Sequence, residues 1–203
     1  MKRLAILLCL AMGCGRAVTP PVKVSARGEF PAIRTVAVLP VVASATTAGD
    51  AAAQAPAAVS RMLSDAAALH SQWSVVAAAQ VRDALRAIPA AEDPEEKAGA
   101  LAAAVQADAG LTAKIAHYRE RVGSDYGISE PASVSVQVLA TPAGRKQAAW
   151  RAEYTFTQEP LAYNLWNLWG VLRGGPRWLT ADELARIGIE EAVDRLARGA
   201  AAR

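Results

Sequence analysis

The chain has 203 residues, and its 22 basic side chains slightly outnumber its 19 acidic ones. A formal net charge of +3 is too small to draw a protein to nucleic acid or to an anionic membrane surface. The composition therefore excludes a nucleic-acid-binding function, and the length suits one domain with a substantial core.

The first fourteen residues have the order of a secretory signal peptide. A short basic start is followed by the uncharged apolar run 4–12, and then by Gly13 and Cys14. The run is far shorter than the roughly 20 residues that span a bilayer, so it is no anchor in itself. We expect residues 1–13 to be a signal peptide.

A small residue directly before Cys14 resembles the bacterial lipobox, in which lipid is attached to the cysteine and the preceding peptide is removed. The match is partial, because Ala11 stands where leucine is usual and Met12 is bulkier than usual. Ordinary secretion with cleavage near Gly13 is therefore the alternative. With Cys9 removed and Cys14 lipidated, no thiol remains for a disulfide, a zinc site or a nucleophile.

The segment 14–34 has no sustained period and is predicted to be a lipidated tether. The hydrophobic pattern then predicts alternating strands and helices. In chain order these are strand 35–42, helix 52–69 with its regular part beginning near Pro56, strand 73–78, helices 80–88 and 92–107, strand 110–121, and strands 132–141 and 147–157 joined by a turn at 142–144.

The order of these elements predicts an α/β fold. A single mixed sheet is built from a β-α-β-α-β unit followed by a β-β hairpin, with helices packed on it. Residues 35–203 form this one domain, including a C-terminal helical segment at 160–199, and a capping box of Thr180 and Glu183 opens the last helix. We predict six buried core residues: Val36, Val38, Val75, Ile115, Val136 and Leu184.

The hydrophobic rhythm of residues 34–140 resembles a half-domain found in three groups of bacterial envelope proteins. It is carried by the runs 35–40, 73–76 and 81–85. The three groups are the curli secretion-channel lipoproteins, the activator lipoproteins of penicillin-binding proteins, and the amino-terminal domain of the Tol–Pal translocation protein. The tail, 157–180, resembles uncharacterised proteobacterial lipoproteins. The first resemblance implies a periplasmic domain that binds other envelope proteins, and it transfers no catalytic residue.

Few side chains stand in a pattern that is typical of a catalytic or metal-binding site. His70 and His117 are each alone in the sequence, and we interpret them as helix-end and strand residues. Paired acids for an envelope hydrolase could be drawn from Glu120, Asp125, Glu130 and Glu153, but no spacing selects two of them. We therefore assign no catalytic residue, no metal ligand and no cofactor, and we expect the protein not to be an enzyme.

The uncharged run 161–172 departs from an ordinary surface helix, which would show a polar face. It either packs across the sheet as core or presents an aromatic patch to a partner or to the membrane surface. The candidate contact residues are Tyr163, Trp166, Trp169 and Trp178. Helical geometry places Trp169 on the leucine face and turns Trp166 away, so we predict Trp169 buried and Trp166 exposed.

The sequence predicts a lipid-anchored periplasmic interaction protein, an assembly or activation factor for an envelope machine. Its membrane association comes through lipid at Cys14, and Gly15 after it resembles lipoproteins that are forwarded to the periplasmic face of the outer membrane. A protein partner is expected, with no nucleic acid and no small-molecule substrate. The alternatives are an envelope hydrolase that uses carboxylates in 119–130 and a secretion-channel subunit.

Overall fold

The structure, a computed structural model, describes residues 21–27, 32–43, 50–88, 93–158 and 177–201. The helices and strands are β1 (Val22–Ala26), β2 (Thr35–Val38), β3 (Val42–Ala43), α1 (Asp50–Ala68), β4 (Ser74–Val75), α2 (Ala78–Ala87), α3 (Pro94–Ala104), β5 (Ala109–Arg119), β6 (Val122–Gly123), β7 (Ile128–Glu130), β8 (Ser133–Pro142), β9 (Trp150–Thr157) and α4 (Ala181–Ala201).

One mixed sheet organises these elements, as predicted. Its strand order is β1-β9-β8-β5-β2-β4, with β3 also paired to β5. Strand β2 is parallel to β4 and β5, whereas β8, β9 and β1 continue the sheet in antiparallel fashion. Parallel neighbours need crossover connections, and α1, α2 and α3 supply them. Strands β6 and β7 form a separate small hairpin.

Helices α1 and α4 cover one face of the sheet, which we call the α1/α4 face. The side chains on it are large and apolar, and they include Leu63, Ile115, Tyr154, Leu184 and Ile189. Of the predicted core residues, Val36, Val38, Ile115, Val136 and Leu184 are buried. Val75 is half-buried, because its two-residue strand lies at the edge of the sheet.

Helix α3 lies on the opposite face, which we call the α3 face, at close backbone distance. A Cβ atom at Gly110 of β5 would lie 2.1 Å from the carbonyl oxygen of Ala98, and one at Gly99 would lie 1.9 Å from that of Arg145. The small core here includes Ala37, Leu39 and Leu101. Glycine at these two contacts allows the helix backbone to lie against β5 and against the turn that follows β8.

Two sequence expectations are corrected by the structure. The tether predicted for 14–34 contains β1, which pairs with β9 in the main sheet. The strand alternates apolar and polar residues over only five positions, and Val22 alone is buried, so its pattern is too short to stand out from a tether. Helix α1 begins at Asp50 and contains Pro56, rather than beginning near it.

No helix within the described residues is both long enough and apolar enough to cross a membrane.

Candidate functional site

The predicted contact residues fall on both sides of the boundary of the described chain. Cys14, Tyr163, Trp166 and Trp169 lie outside the described residues. Trp178 lies inside and is half-buried. The site is therefore built from the described residues at the two ends of 159–176.

Gln158, just after β9, holds these two ends together. Its side-chain Nε2 donates to the carbonyl of Arg177 over 3.0 Å, and its Oε1 accepts from the amide of Leu179 over 2.7 Å. Gln158 is buried, so both hydrogen bonds are shielded from water. The end of β9 and the residues that lead into α4 therefore lie next to each other.

The β6–β7 hairpin is fastened to this point. The Arg121 guanidinium donates to the carbonyl of Trp178 over 2.7 Å and pairs with the Asp125 carboxylate. The amide of Trp178 donates to the carbonyl of Asp125 over 2.8 Å. Beside these bonds the hairpin exposes two large apolar side chains, Tyr126 at 83% and Val122 at 53%. An exposed tyrosine on an anchored hairpin is suited to a protein contact.

The start of α4 carries the predicted capping box. Thr180 Oγ1 accepts from the amide of Glu183 over 3.2 Å, and Glu183 Oε2 accepts from the amide of Thr180 over 2.9 Å. The hydrogen bonds of Arg177 hold the pKa of the Glu183 carboxyl below its usual range, and the Thr180 amide acts in the same direction. This end of the helix is therefore fixed by charge and hydrogen bonds.

The tyrosine that precedes the hairpin also contacts α4. The hydroxyl of Tyr118 donates to the Asp182 carboxylate, and its ring is buried. Burial raises the pKa of the Tyr118 hydroxyl above its usual value, and the neighbouring Asp182 raises it further. Tyr118 is thus a neutral hydrogen-bond donor that joins β5 to α4.

The acids considered for a hydrolase have structural partners. Glu120 accepts from its neighbour's amide, that of Arg121, and from the amide of Ala181 at the start of α4. Asp125 pairs with Arg121, as described above. Glu130 lies 3.9 Å from a guanidinium nitrogen of Arg119, and Glu153 lies opposite Lys23 in the β1–β9 ladder.

Neither histidine makes one of the hydrogen bonds described above. The His70 ring contacts the Trp73 ring at a centroid distance of 5.2 Å, and His117 is exposed on β5. Within the described ranges, no group of three or more His, Cys, Asp or Glu side chains is arranged to hold a metal ion.

A buried carboxylate, Glu95, is not among the site residues predicted from the sequence. It accepts from the Ala148 amide over 2.9 Å, from Arg151 over 2.6 Å and from Lys114 over 3.1 Å. Burial by itself would raise the pKa of Glu95, but these partners together lower it below the ordinary 4.5. The signal that could have found the cluster was the pair of cations, Lys114 and Arg151, inside otherwise apolar or alternating strands.

Comparison with known proteins gives a likeness of fold. No family model and no curated protein matches the sequence. The PelC dodecamer of Paraburkholderia phytofirmans superposes with a TM-score of 0.51 at 13% identity, covering 87% of this chain and 96% of that one. A second crystal form of PelC, with a single substitution, gives 0.52 at 14% identity over 87% and 97%. A hypothetical protein of Chlamydia trachomatis gives 0.48 at 16% identity over 85% and 100%.

Proposed function

We propose that the protein is a lipid-anchored periplasmic interaction protein that serves as an assembly or activation factor for an envelope machine. Lipid at Cys14 holds it to the membrane, and the face that carries the β6–β7 hairpin contacts the protein partner. The observation that carries this proposal is the exposed Tyr126 on a hairpin that Arg121 and Trp178 hold beside the ends of 159–176. Tyr163, Trp166 and Trp169, which lie outside the described residues, are proposed as further contact residues for the partner.

Two further observations support an interaction role. The acids near the hairpin bond to backbone amides and arginines, which is what a scaffold requires. The fold is shared with PelC, whose crystal structures are of a dodecamer. That likeness also favours a second candidate, a subunit of an assembly made of many copies of this chain, which native mass spectrometry would distinguish from a monomer.

The membrane anchor is tested by Cys14→Ala. We expect the variant to leave the membrane fraction and to lose the mass of the acyl chains. A variant that stays in membranes unchanged after a high-salt wash would contradict lipidation and would assign the association to another segment.

The contact surface is tested by site-specific photo-crosslinking in the cell envelope. A photoreactive residue at Tyr126 or Trp166 should crosslink to one defined partner, whereas one at Gln72, an exposed turn residue before β4, should not. Trp166→Ala should fold with near-normal stability and lose the partner. If it instead loses about 3–5 kcal/mol, as a buried tryptophan would, the segment is core and the contact proposal is wrong.

A further inference from the structure

A crevice opens at the carboxyl ends of β2 and β4. The helix that follows β2, α1, packs on the α1/α4 face, whereas α2, which follows β4, packs on the opposite face. Between the two helices, at the carboxyl ends of the strands, lies a gap that is lined by α1 on one side and by the start of α2 on the other. We call this gap the β2–β4 crevice. Its volume of about 560 Å³ is that of a small-molecule site.

The floor of the crevice is apolar. It is formed by five residues from the ends of the two strands and from α2: Val38, Leu39, Val75, Val76 and Val81. The hydroxyls that α1 brings to the wall bond within the protein. Ser60 Oγ accepts from the Val41 amide over 2.8 Å and donates to the Pro56 carbonyl, and Ser64 Oγ donates to the Ser60 carbonyl. These two hydroxyls are therefore already hydrogen-bonded, and the surface inside the crevice suits an apolar ligand body.

The rim is positive. Arg61 and Arg82 both line it, both are exposed, and neither pairs with an acid in the described part of the chain. The acid on the rim, Asp65, has its own cation, since its carboxylate lies 4.0 Å from Arg186. Two unneutralised guanidinium groups beside an apolar floor complement a ligand that is apolar with one anionic group.

We propose that the β2–β4 crevice binds a small amphiphilic anion, a molecule with an apolar body and one carboxylate, sulfonate or phosphate. The apolar body of the ligand fills the space above Leu39 and Val81, where it is removed from contact with water. The anionic group stays at the rim and pairs with Arg82. This site is separate from the hairpin surface of the proposed function, so either can fail without the other.

The test is photolabelling of the full-length protein, in a nonionic detergent, with 4-benzoylbenzoate. This probe has an aromatic body and one carboxylate, and its neutral amide, 4-benzoylbenzamide, has the same body. The tryptic peptide 62–82 carries most of the crevice wall and floor, so fragmentation of it locates the label. We expect the carboxylate to label residues 64–81 about fivefold more than the amide does, the effect of one partly exposed ion pair.

Matched variants separate the crevice from unspecific labelling. Arg82→Gln, in which the tryptic peptide becomes 62–86, should reduce the carboxylate labelling to the level of the amide. Ala68→Trp, at an exposed wall position, should block both probes. Arg86→Gln removes the same charge from the same helix but away from the crevice, and it should change nothing. Equal labelling by the two probes, label outside the crevice, or equal effects of Arg82→Gln and Arg86→Gln would overturn the proposal.

Discussion

The two faces of the sheet are stabilised in different ways. On the α1/α4 face, large apolar side chains such as Leu63 and Ile189 fill the space between helices and sheet. On the α3 face, glycines let the α3 backbone touch the strands, and a carboxylate, Glu95, is buried under the start of the helix. The first face depends on volume, and the second depends on close approach and on paired charge.

This difference has consequences for substitution. A face filled by side chains loses stability when atoms are removed, because a cavity remains. A face built on backbone contact loses stability when atoms are added, because the overlapped main chain cannot turn away. The α1/α4 face is therefore best tested by removing atoms, and the contact of α3 with β5 by adding one.

The largest effect is expected from Leu63→Ala, which removes a fully buried side chain from α1. The cavity should lower the free energy of unfolding by about 2–5 kcal/mol, as measured by urea denaturation. Leu69→Ala, just beyond the same helix and 73% exposed, should change it by less than about 0.5 kcal/mol. Equal losses in the two variants would mean that the α1/α4 face is not close-packed.

The next effect is expected from Gly110→Ala. The added Cβ would overlap the Ala98 carbonyl, which belongs to the backbone, so α3 must move away from β5. We expect a loss of about 3 kcal/mol, the upper part of the overpacking range, with faster amide exchange in α3. Gly199→Ala, a helix position with no atom within 4 Å of the new carbon, is the control and should be neutral or stabilising.

The buried carboxylate should give a smaller effect that depends on pH. Glu95→Gln leaves Arg151 without its anion and leaves Lys114 with Asp93 alone, and it should cost about 2 kcal/mol at neutral pH. Because folding lowers the pKa of Glu95 below 4.5, the wild-type advantage is complete above that pH and disappears as pH falls through the folded pKa. Denaturation at several pH values would measure it.

The control for this charge is Glu96→Gln. Glu96 pairs with Lys146 on the surface, so its loss should cost less than about 1 kcal/mol at any of these pH values. The difference in the free energy of unfolding between wild type and Glu95→Gln should shrink as pH falls. A difference that stays constant would show that the carboxylate contributes by shape rather than by charge.

The smallest effect is expected from Thr180→Ala, which removes one side of the capping box of α4. The expected loss is about 1 kcal/mol, and Thr180→Ser should retain most of the stability. Thermal denaturation of the two variants measures how much the capping box stabilises α4. No loss in Thr180→Ala would mean that packing on the α1/α4 face is sufficient to hold the helix in place.

Much of the fold could be predicted because buried elements leave a pattern in the sequence. The strand run from Thr35, the long β5, and the β8–β9 hairpin all bury alternate or consecutive residues, and the capping box is a local motif. Edge strand β1 has one buried residue in five, so its place depends on β9, a partner far along the chain. Its local alternation of Val22 and Val24 with Lys23 and Ser25 is too short to identify the strand without that partner.

The candidate site was predicted less well. Trp178 was predicted to contact a partner through its ring. In the structure its backbone amide donates to the Asp125 carbonyl, and its backbone carbonyl accepts from Arg121. Tyr126, the most exposed large side chain of the hairpin, is not among the predicted contact residues, because exposure of a single residue leaves no period. Glu95 is not among the predicted site residues, because its charged partners come from β5 and β9.

Gln158 has a consequence for how the chain tolerates change in length. Its one amide group bonds to both Arg177 and Leu179, so the two ends of 159–176 stay together whatever lies between them. The entropy of closing such a loop grows only slowly with its length, by about 0.6 kcal/mol for each doubling. Lengthening the connection between residues 158 and 177 should therefore cost little chain entropy, provided that the hydrogen bonds of Gln158 are kept.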